Sequence, residues 1–340
     1  MQQDRLATVA GFAGAIVVLG VLVWLVGVED ILAALSRADP GMLAFVVVAS
    51  AIWMAAWGLS LWTVLRSIGA PISARRAIFV FSAAMFSNNV TPFGQAGGEP
   101  VSALLISTAS DTDYQTGLAA IASVDTLHFV PSIGLATVGF GSIVLGAVEL
   151  TENVVVAAIA VAVLAMIVPA IALVGWYNRH RIEAAVVRGF TPVARTIAGV
   201  VPRVSAPDPA EVEHRIEGFF RTIERVASDR RALVTAMIFS AIGWISLAGA
   251  LWLSLLAMGF SIPFFAALFV VPVGSIAGAT PLPGGLGGLE AAFIVLLSAS
   301  TGIAAPVATA AVLIHRGATY WLPTLFGGGA ATVIGSWRRR

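Results

Sequence analysis

Apolar and polar positions alternate along this chain in long blocks rather than with a short period. Residues 6–28 form an apolar run of 23 without a charge, about 35 Å long as a helix and too long for the core of a signal peptide. Comparable runs cover residues 42–65, 117–147, 153–176, 232–258 and 306–334, each able to cross about 30 Å of hydrocarbon. Two more apolar regions, 77–106 and 263–300, are interrupted at their centres by Pro and Gly, which end helices. The pattern predicts an all-α polytopic membrane protein with about six transmembrane helices and two Pro/Gly-broken re-entrant hairpins.

Composition excludes a water-soluble fold. Charged residues make up 11% of the chain and hydrophobic residues 59%, with mean hydropathy +0.95, against about 25% charged in soluble domains. Absence of cysteine removes disulfides, thiolate metal sites and Cys nucleophiles. All 19 basic residues are Arg, and their placement sets orientation. Ten lie between residues 177 and 231, three end the chain, and Arg66, Arg75 and Arg76 follow the second apolar run. Short Arg-rich loops are normally cytoplasmic. A single crossing by 77–106 would put the 177–231 loop outside, whereas a re-entrant hairpin keeps every Arg-rich segment inside. The expectation is a multi-pass cell (plasma) membrane protein with cytoplasmic N- and C-termini, Asp111 and Asp113 cytoplasmic and Ser261 extracytoplasmic. Segments 179–200 and 211–227 read as amphipathic helices on the inner leaflet, with i,i+4 pairs such as Glu217/Arg221.

Laid on itself at an offset of 190, the chain aligns Ser50-Ala51-Ile52 with Ser240-Ala241-Ile242, Leu61-Trp62 with Leu251-Trp252, and Gly69 with Gly259. One-residue adjustments put Thr91-Pro92 on Thr280-Pro281 and Glu99 on Glu290. Arg66 follows the second helix while Arg230 and Arg231 precede its copy, so the copies run in opposite directions. Residues 1–150 read as a first membrane repeat with hairpin 77–106, and 151–340 as a second with hairpin 263–300, carrying the Arg-rich insertion 177–231. Paired broken segments in inverted repeats point to a transport site at mid-membrane.

Candidate chemistry gathers at the two breaks. The first contains Asn88, Asn89, Thr91, Pro92, Gln95, Gly98 and Glu99, and the second Thr280, Pro281, Pro283, Gly284, Gly285, Gly287 and Glu290. Non-helical backbone at membrane depth survives only inside protein or beside a wet cavity. Glu99 and Glu290 are expected at helix N-termini, where a carboxylate caps, handles substrate, or does both. Twenty-six residues beyond each acid stands another ionisable residue, Asp125 and Arg316. Buried charges at this depth pair or face water, so Arg316 is either half of a static ion pair or the cation that meets an anionic headgroup. His128 is a hydrogen-bonded packing residue or a proton relay, and Tyr320 an interfacial, packing or cavity-wall aromatic.

The patterns Asn-x-x-x-Pro with Gly-Gly-Glu, Pro-x-Pro-Gly-Gly-x-Gly-x-x-Glu, and Arg316 followed by Tyr320, Trp321 and Pro323 resemble the flippase-like integral membrane family. That family includes the membrane region of lysylphosphatidylglycerol synthase/flippase proteins. The resemblance implies lipid translocation and carries over to Pro92, Gly98, Glu99, Pro281, Pro283, Gly284, Gly285, Gly287, Glu290 and Arg316. The aminoacyl-transferase domain of bifunctional relatives is missing from the sequence, so lysyl transfer is not expected. Relatives often carry Arg near the first motif, where this chain has Gln95 and Ser102. With no P-loop, GxSxG or HExxH motif, the chain is not expected to be an enzyme, and no cofactor or metal is implied. Membrane lipids are the expected partners and nucleic acid is not. A lipid-biosynthetic or glycosyltransferase partner and a homo-oligomer stay open, as does a role as a non-catalytic membrane subunit of a lipid-linked sugar pathway.

Overall fold

The computed structural model describes residues 28–91, 94–146, 209–278 and 282–337. The apolar runs beginning at residues 6 and 153 and the helix expected over 179–200 lie outside the described residues. Within them all regular structure is helical: α1 (Val28–Leu35), α2 (Pro40–Ser67), α3 (Ala74–Val90), α4 (Gln95–Ser110), α5 (Tyr114–Gly146), α6 (Pro209–Ser228), α7 (Arg230–Ala257), α8 (Phe264–Ser275), α9 (Gly288–Thr301) and α10 (Ala305–Trp337). Among the described residues, four helical stretches are long and apolar enough to cross a membrane: Pro40–Ser67, Tyr114–Leu145, Arg230–Ala257 and Pro283–Thr301. The last falls in the region read from sequence as a broken hairpin. Helix α10 has 33 residues, but His315 and Arg316 lower the hydropathy of its middle. Large apolar side chains such as Phe45, Val295 and Leu325 point outward, Leu325 being 72% exposed, as suits a lipid-facing exterior.

The same local features recur 190 residues apart. Helices α2 and α7 both have 28 residues, and each is capped by an aspartate, Asp39 or Asp229, whose carboxylate accepts the amide of the residue three further on. A cap of this kind satisfies one of the helix's orphan donors. Past their C-termini, Gly69 and Gly259 share a φ of +81°. Trp62 Nε1 donates to Ile72 O, and Trp252 Nε1 to Ile262 O, each at 3.0 Å. The equivalent helices pack antiparallel. Asp39 N donates to Ala257 O at 2.7 Å, Trp57 Nε1 to Ser240 O at 3.2 Å and Ser60 Oγ to Ala236 O at 3.2 Å.

The long helices then cross between halves. Helix α10 lies along α3, with Gly327 against the Ser82 carbonyl and Phe326 on Phe79, while α5 lies along α8, with Gly139 against Phe265 and Phe140 on Phe269. Buried apolar side chains form one cluster around Leu251, Phe269, Phe293 and Leu297 and a second around Leu61, Phe81, Ile106 and Val124. At the C-terminal end of α2, Thr222 and Arg225 of α6 face Gly69, Asp111 and Asp113 across a polar cavity of about 380 Å³. Helix α6 covers residues 209–228, close to the expected 211–227, and docks through Val226 and Thr222, both buried. Its Glu217 and Arg221 form the expected pair at 3.7 Å, an exposed contact of little energetic weight.

At the centre of the α2–α7 crossing, Gly243 leaves no room for a Cβ because Trp57 Nε1 sits over it. Gly243→Ala is therefore expected to displace Trp57, break its bond to Ser240 O and lower stability by about 1–3 kcal/mol. Gly249→Ala on the same helix meets nothing within 4 Å and is expected to be neutral or stabilising. Thermal unfolding in detergent compares the two; equal effects would contradict the packing described.

Candidate functional site

Helices α3 and α4 are separated by a break whose ends are tied by Thr91. Its Oγ1 donates to Ser87 O at 2.7 Å and to Gly94 O at 3.3 Å, and Gly94 turns the chain with a φ of +53°. Gly98 allows α4 to close on α3, since a Cβ there would collide with Asn88. The second break, between α8 and α9, passes through a short 3₁₀ turn, Pro283–Gly285, with Gly284, Gly285 and Gly287 all at positive φ. Only glycine adopts that region at little cost. At Gly284 space is closed as well, because Tyr320 and Asn89 lie where a side chain would go. The two tips meet: Gly94 of the first stands against Gly278, Gly284 and Gly285 of the second.

Asn89 and Tyr320 stitch the contact. Tyr320 Oη donates to Asn89 O at 3.1 Å, while Asn89 Nδ2 donates to Thr324 Oγ1 at 2.9 Å and Tyr320 O at 3.3 Å. Beside them Arg316 Nε donates to Glu290 Oε1 at 2.6 Å, and an Nη donates to Gly284 O at 3.0 Å. The other Glu290 oxygen accepts the Gly287 amide at 2.5 Å, closing the N-terminus of α9. Glu290 thus caps a helix and pairs a cation at once. The guanidinium carbon lies 5.1 Å from the Tyr320 ring centroid, within cation–π range. The carboxylate is 3% exposed and the Arg316 side chain 13%, so the pair is nearly dry yet retains an opening on its arginine side.

A model of the lysylphosphatidylglycerol synthase TM region matches residues 9–327. The chain belongs to this family. A "UPF0104 membrane protein" of Methanothermobacter thermautotrophicus is 27% identical over 98% of this chain and 95% of its own length. "UPF0104 membrane protein PH1989" of Pyrococcus horikoshii is 25% identical over 91% of each chain. "Glycosyltransferase AglD" of Haloferax volcanii is 26% identical over 92% of this chain, which spans 52% of AglD.

In this member of the family the residues singled out from sequence fall into two groups. Asn89, Gly284, Gly285, Gly287, Glu290, Arg316 and Tyr320 converge, and Pro283 is buried. Asn88, Gln95, Gly98, Glu99 and Asp125 form a neighbouring group on α3, α4 and α5. Glu99 departs from its expected place: α4 begins at Gln95, so Glu99 is its fifth residue, and Gly94 caps the helix without a side chain. The start is displaced by one turn because the glycine conformation, not the acid, begins the helix. His128 stands apart, stacked on Trp57 at 4.1 Å with its carbonyl accepting Trp244 Nε1 at 3.0 Å. Pro92, Thr280 and Pro281 lie outside the described residues. Sequence reasoning missed Gly94 and Thr324; the latter is one turn beyond Tyr320, on the same helix face.

Removing Arg316 strands a buried carboxylate. Arg316→Met is expected to destabilise by about 3–5 kcal/mol, whereas Arg316→Met combined with Glu290→Gln costs much less than the two single changes added together. Thermal unfolding of the four proteins checks this cycle, and additive effects would mean that the pair does not interact.

Proposed function

We infer that this chain moves a lipid with a phosphate-bearing headgroup, a phospholipid or a polyprenyl-linked lipid, between membrane leaflets. Family membership supports the lipid, and the meeting of the two breaks beside Arg316 supports the path. Two antiparallel copies of one helical pattern form inverted repeats in this reading, with the α3–α4 and α8–α9 pairs as re-entrant hairpins entering from opposite faces. Helices α3, α4, α8 and α9 contain 17, 16, 12 and 14 residues, about 18–26 Å each, shorter than the hydrocarbon core; the stretch ending in α9 reaches 19 residues only when the turn before the helix is counted. Their tips therefore reach only partway, to the depth at which a headgroup must be carried past the chains. The membrane is the cell membrane and both termini are cytoplasmic.

The chemistry asked of the protein is modest. A headgroup crossing hydrocarbon loses its hydration, and the site replaces that water with fixed donors: the Arg316 side chain, nearly desolvated and held by Glu290 and Gly284 O, and polar groups from the tips. Charge-assisted hydrogen bonds to phosphate are strong in such surroundings. Glu290 fixes the guanidinium edge that carries Nε, leaving the open side for substrate. No bond is made or broken, so the chain needs no catalytic group. The likeness to AglD favours a second reading, in which the chain is a membrane subunit of a glycosyl-transfer pathway without catalytic activity of its own.

Arg316→Lys separates a headgroup contact from a structural pair, because lysine keeps the charge and loses the planar fork. Native mass spectrometry of the purified protein is expected to show co-purified phospholipid or polyprenyl phosphate in wild type. In Arg316→Lys, binding is expected to fall about tenfold, equivalent to 1.4 kcal/mol, with thermal stability largely kept. Normal lipid binding in the Lys variant together with instability in Arg316→Ala would leave only the structural pair. Glu99→Gln is expected to remain folded and to slow exchange of a fluorescent phospholipid in proteoliposomes; wild-type exchange in that variant would remove Glu99 from the path.

A further inference from the structure

The two halves fill one equivalent position with opposite charges. Asp125 is the twelfth residue of the 33-residue helix α5, and Arg316 is the twelfth residue of the 33-residue helix α10. In the second half the guanidinium compensates Glu290 and satisfies a tip carbonyl. In the first half a second carboxylate stands in that place. Gln95 and Glu99 stand close enough to Asp125 to act on it electrostatically, yet among the described residues neither acid has a basic partner. Two side-chain oxygens, Asp125 Oδ2 on α5 and Asn88 Oδ1 on α3, are shut off from solvent and accept no hydrogen bond. Asn88 Oδ1 lies over Gly98, and Gln95, Gly98 and Glu99 share one face of α4 through their i, i+3, i+4 spacing. Acceptors with no donor, one of them a carboxylate oxygen, are costly to bury unless something positive joins them.

We propose that Glu99, Asp125 and Asn88 Oδ1 bind one monovalent cation, a sodium ion or a proton, in the place that the Arg316 guanidinium holds in the second half. The ligands are all oxygen, as hard cations require. With no nitrogen or sulfur ligand among them, they do not suit zinc or copper. Surrounding helices bring no rival charge to this depth. Helix α8 carries no ionisable residue, the arginines of α7 stand at its first turn, and α2 has its Arg66 at the far end over Trp62. Helix α3 has Arg75 and Arg76 only in its first turn. The charges of α6 meet α5 near Asp113, about 18 Å along the helix from Asp125. On α5 His128 is turned to the Trp57 ring, and on α10 Arg316 is engaged by Glu290 while His315 packs on Phe293.

Thermal unfolding of the full chain in detergent, with no lipid added, tests the site independently of lipid movement. Sodium chloride is exchanged for choline chloride at constant ionic strength at pH 7.5, and a second series in choline chloride runs from pH 8 to pH 5.5. A saturable rise in Tm with sodium identifies the ion as sodium; a rise on acidification with no sodium effect identifies it as a proton. In either case Asp125→Asn and Glu99→Gln are each expected to lose most of the response. Asp125→Arg, which recreates the charge pair of the second half, is expected to abolish it. Glu99→Gln, at a half-exposed position, carries the comparison if Asp125→Asn does not fold. A wild type insensitive to both series, or a response unchanged in the Glu99 and Asp125 variants, would overturn the proposal.

Discussion

Every interruption of a helix inside an apolar bundle releases amide and carbonyl groups that water cannot reach, and each must find a partner within the protein. This constraint organises the molecule. At the first break Thr91 takes the partner's role from its own side chain, bonding Ser87 O and Gly94 O. At the second, Glu290 receives the Gly287 amide and Arg316 serves Gly284 O. Tyr320 and Asn89 tie the first break to α10, the helix whose Arg316 reaches the second. Once these groups are satisfied by residues from α3, α9 and α10, the three helices cannot separate without leaving polar groups unpaired in a dry interior.

Crossing of the long helices follows from the same need. Helix α10 carries Arg316, Tyr320 and Thr324 along one stripe, so it must lie beside both its own break and α3 of the other half. Close approach is permitted by Gly327 against Ser82, and Gly139 gives α5 the matching approach to α8. Each half thereby completes the other. Antiparallel packing of α2 on α7, with Trp57 over Gly243 and the ring of His128 against Trp57, sets the axis about which the exchange takes place.

Much of this was legible in the chain. The equal spacing of Trp62 and Trp252, and of Gly69 and Gly259, is visible in sequence, and in the structure each pair does the same local work: an indole N–H closing onto a turn carbonyl ten residues on, and a glycine adopting positive φ. Pro283 through Gly287 announced a break. The Arg316–Glu290 pair was one of several pairings that charge arithmetic allowed, and only the fold distinguished it from a pairing with Asp125. Glu99 was misplaced because its neighbour Pro100 signals a helix start, whereas the start lies at Gly94, where the backbone turns. Contact between Gly94 and Gly284, and the reach of Asn89 to Thr324, are separated by 190 and 235 residues, and no local pattern carries them.

In the proposed arrangement two antiparallel copies place one broken segment at each face of the membrane. Asp111, between α4 and α5, lies with the C-terminal end of α2, whereas Ser261 follows the C-terminus of α7, which meets the start of α2. Helices of 28 residues separate these two ends, about 42 Å. The chain has no cysteine, so a single cysteine at either position reports its side without background. Labelling of intact cells with a membrane-impermeant maleimide is expected to modify Ser261→Cys from outside and Asp111→Cys only after the membrane is opened. Modification of both positions from the same side would contradict the account.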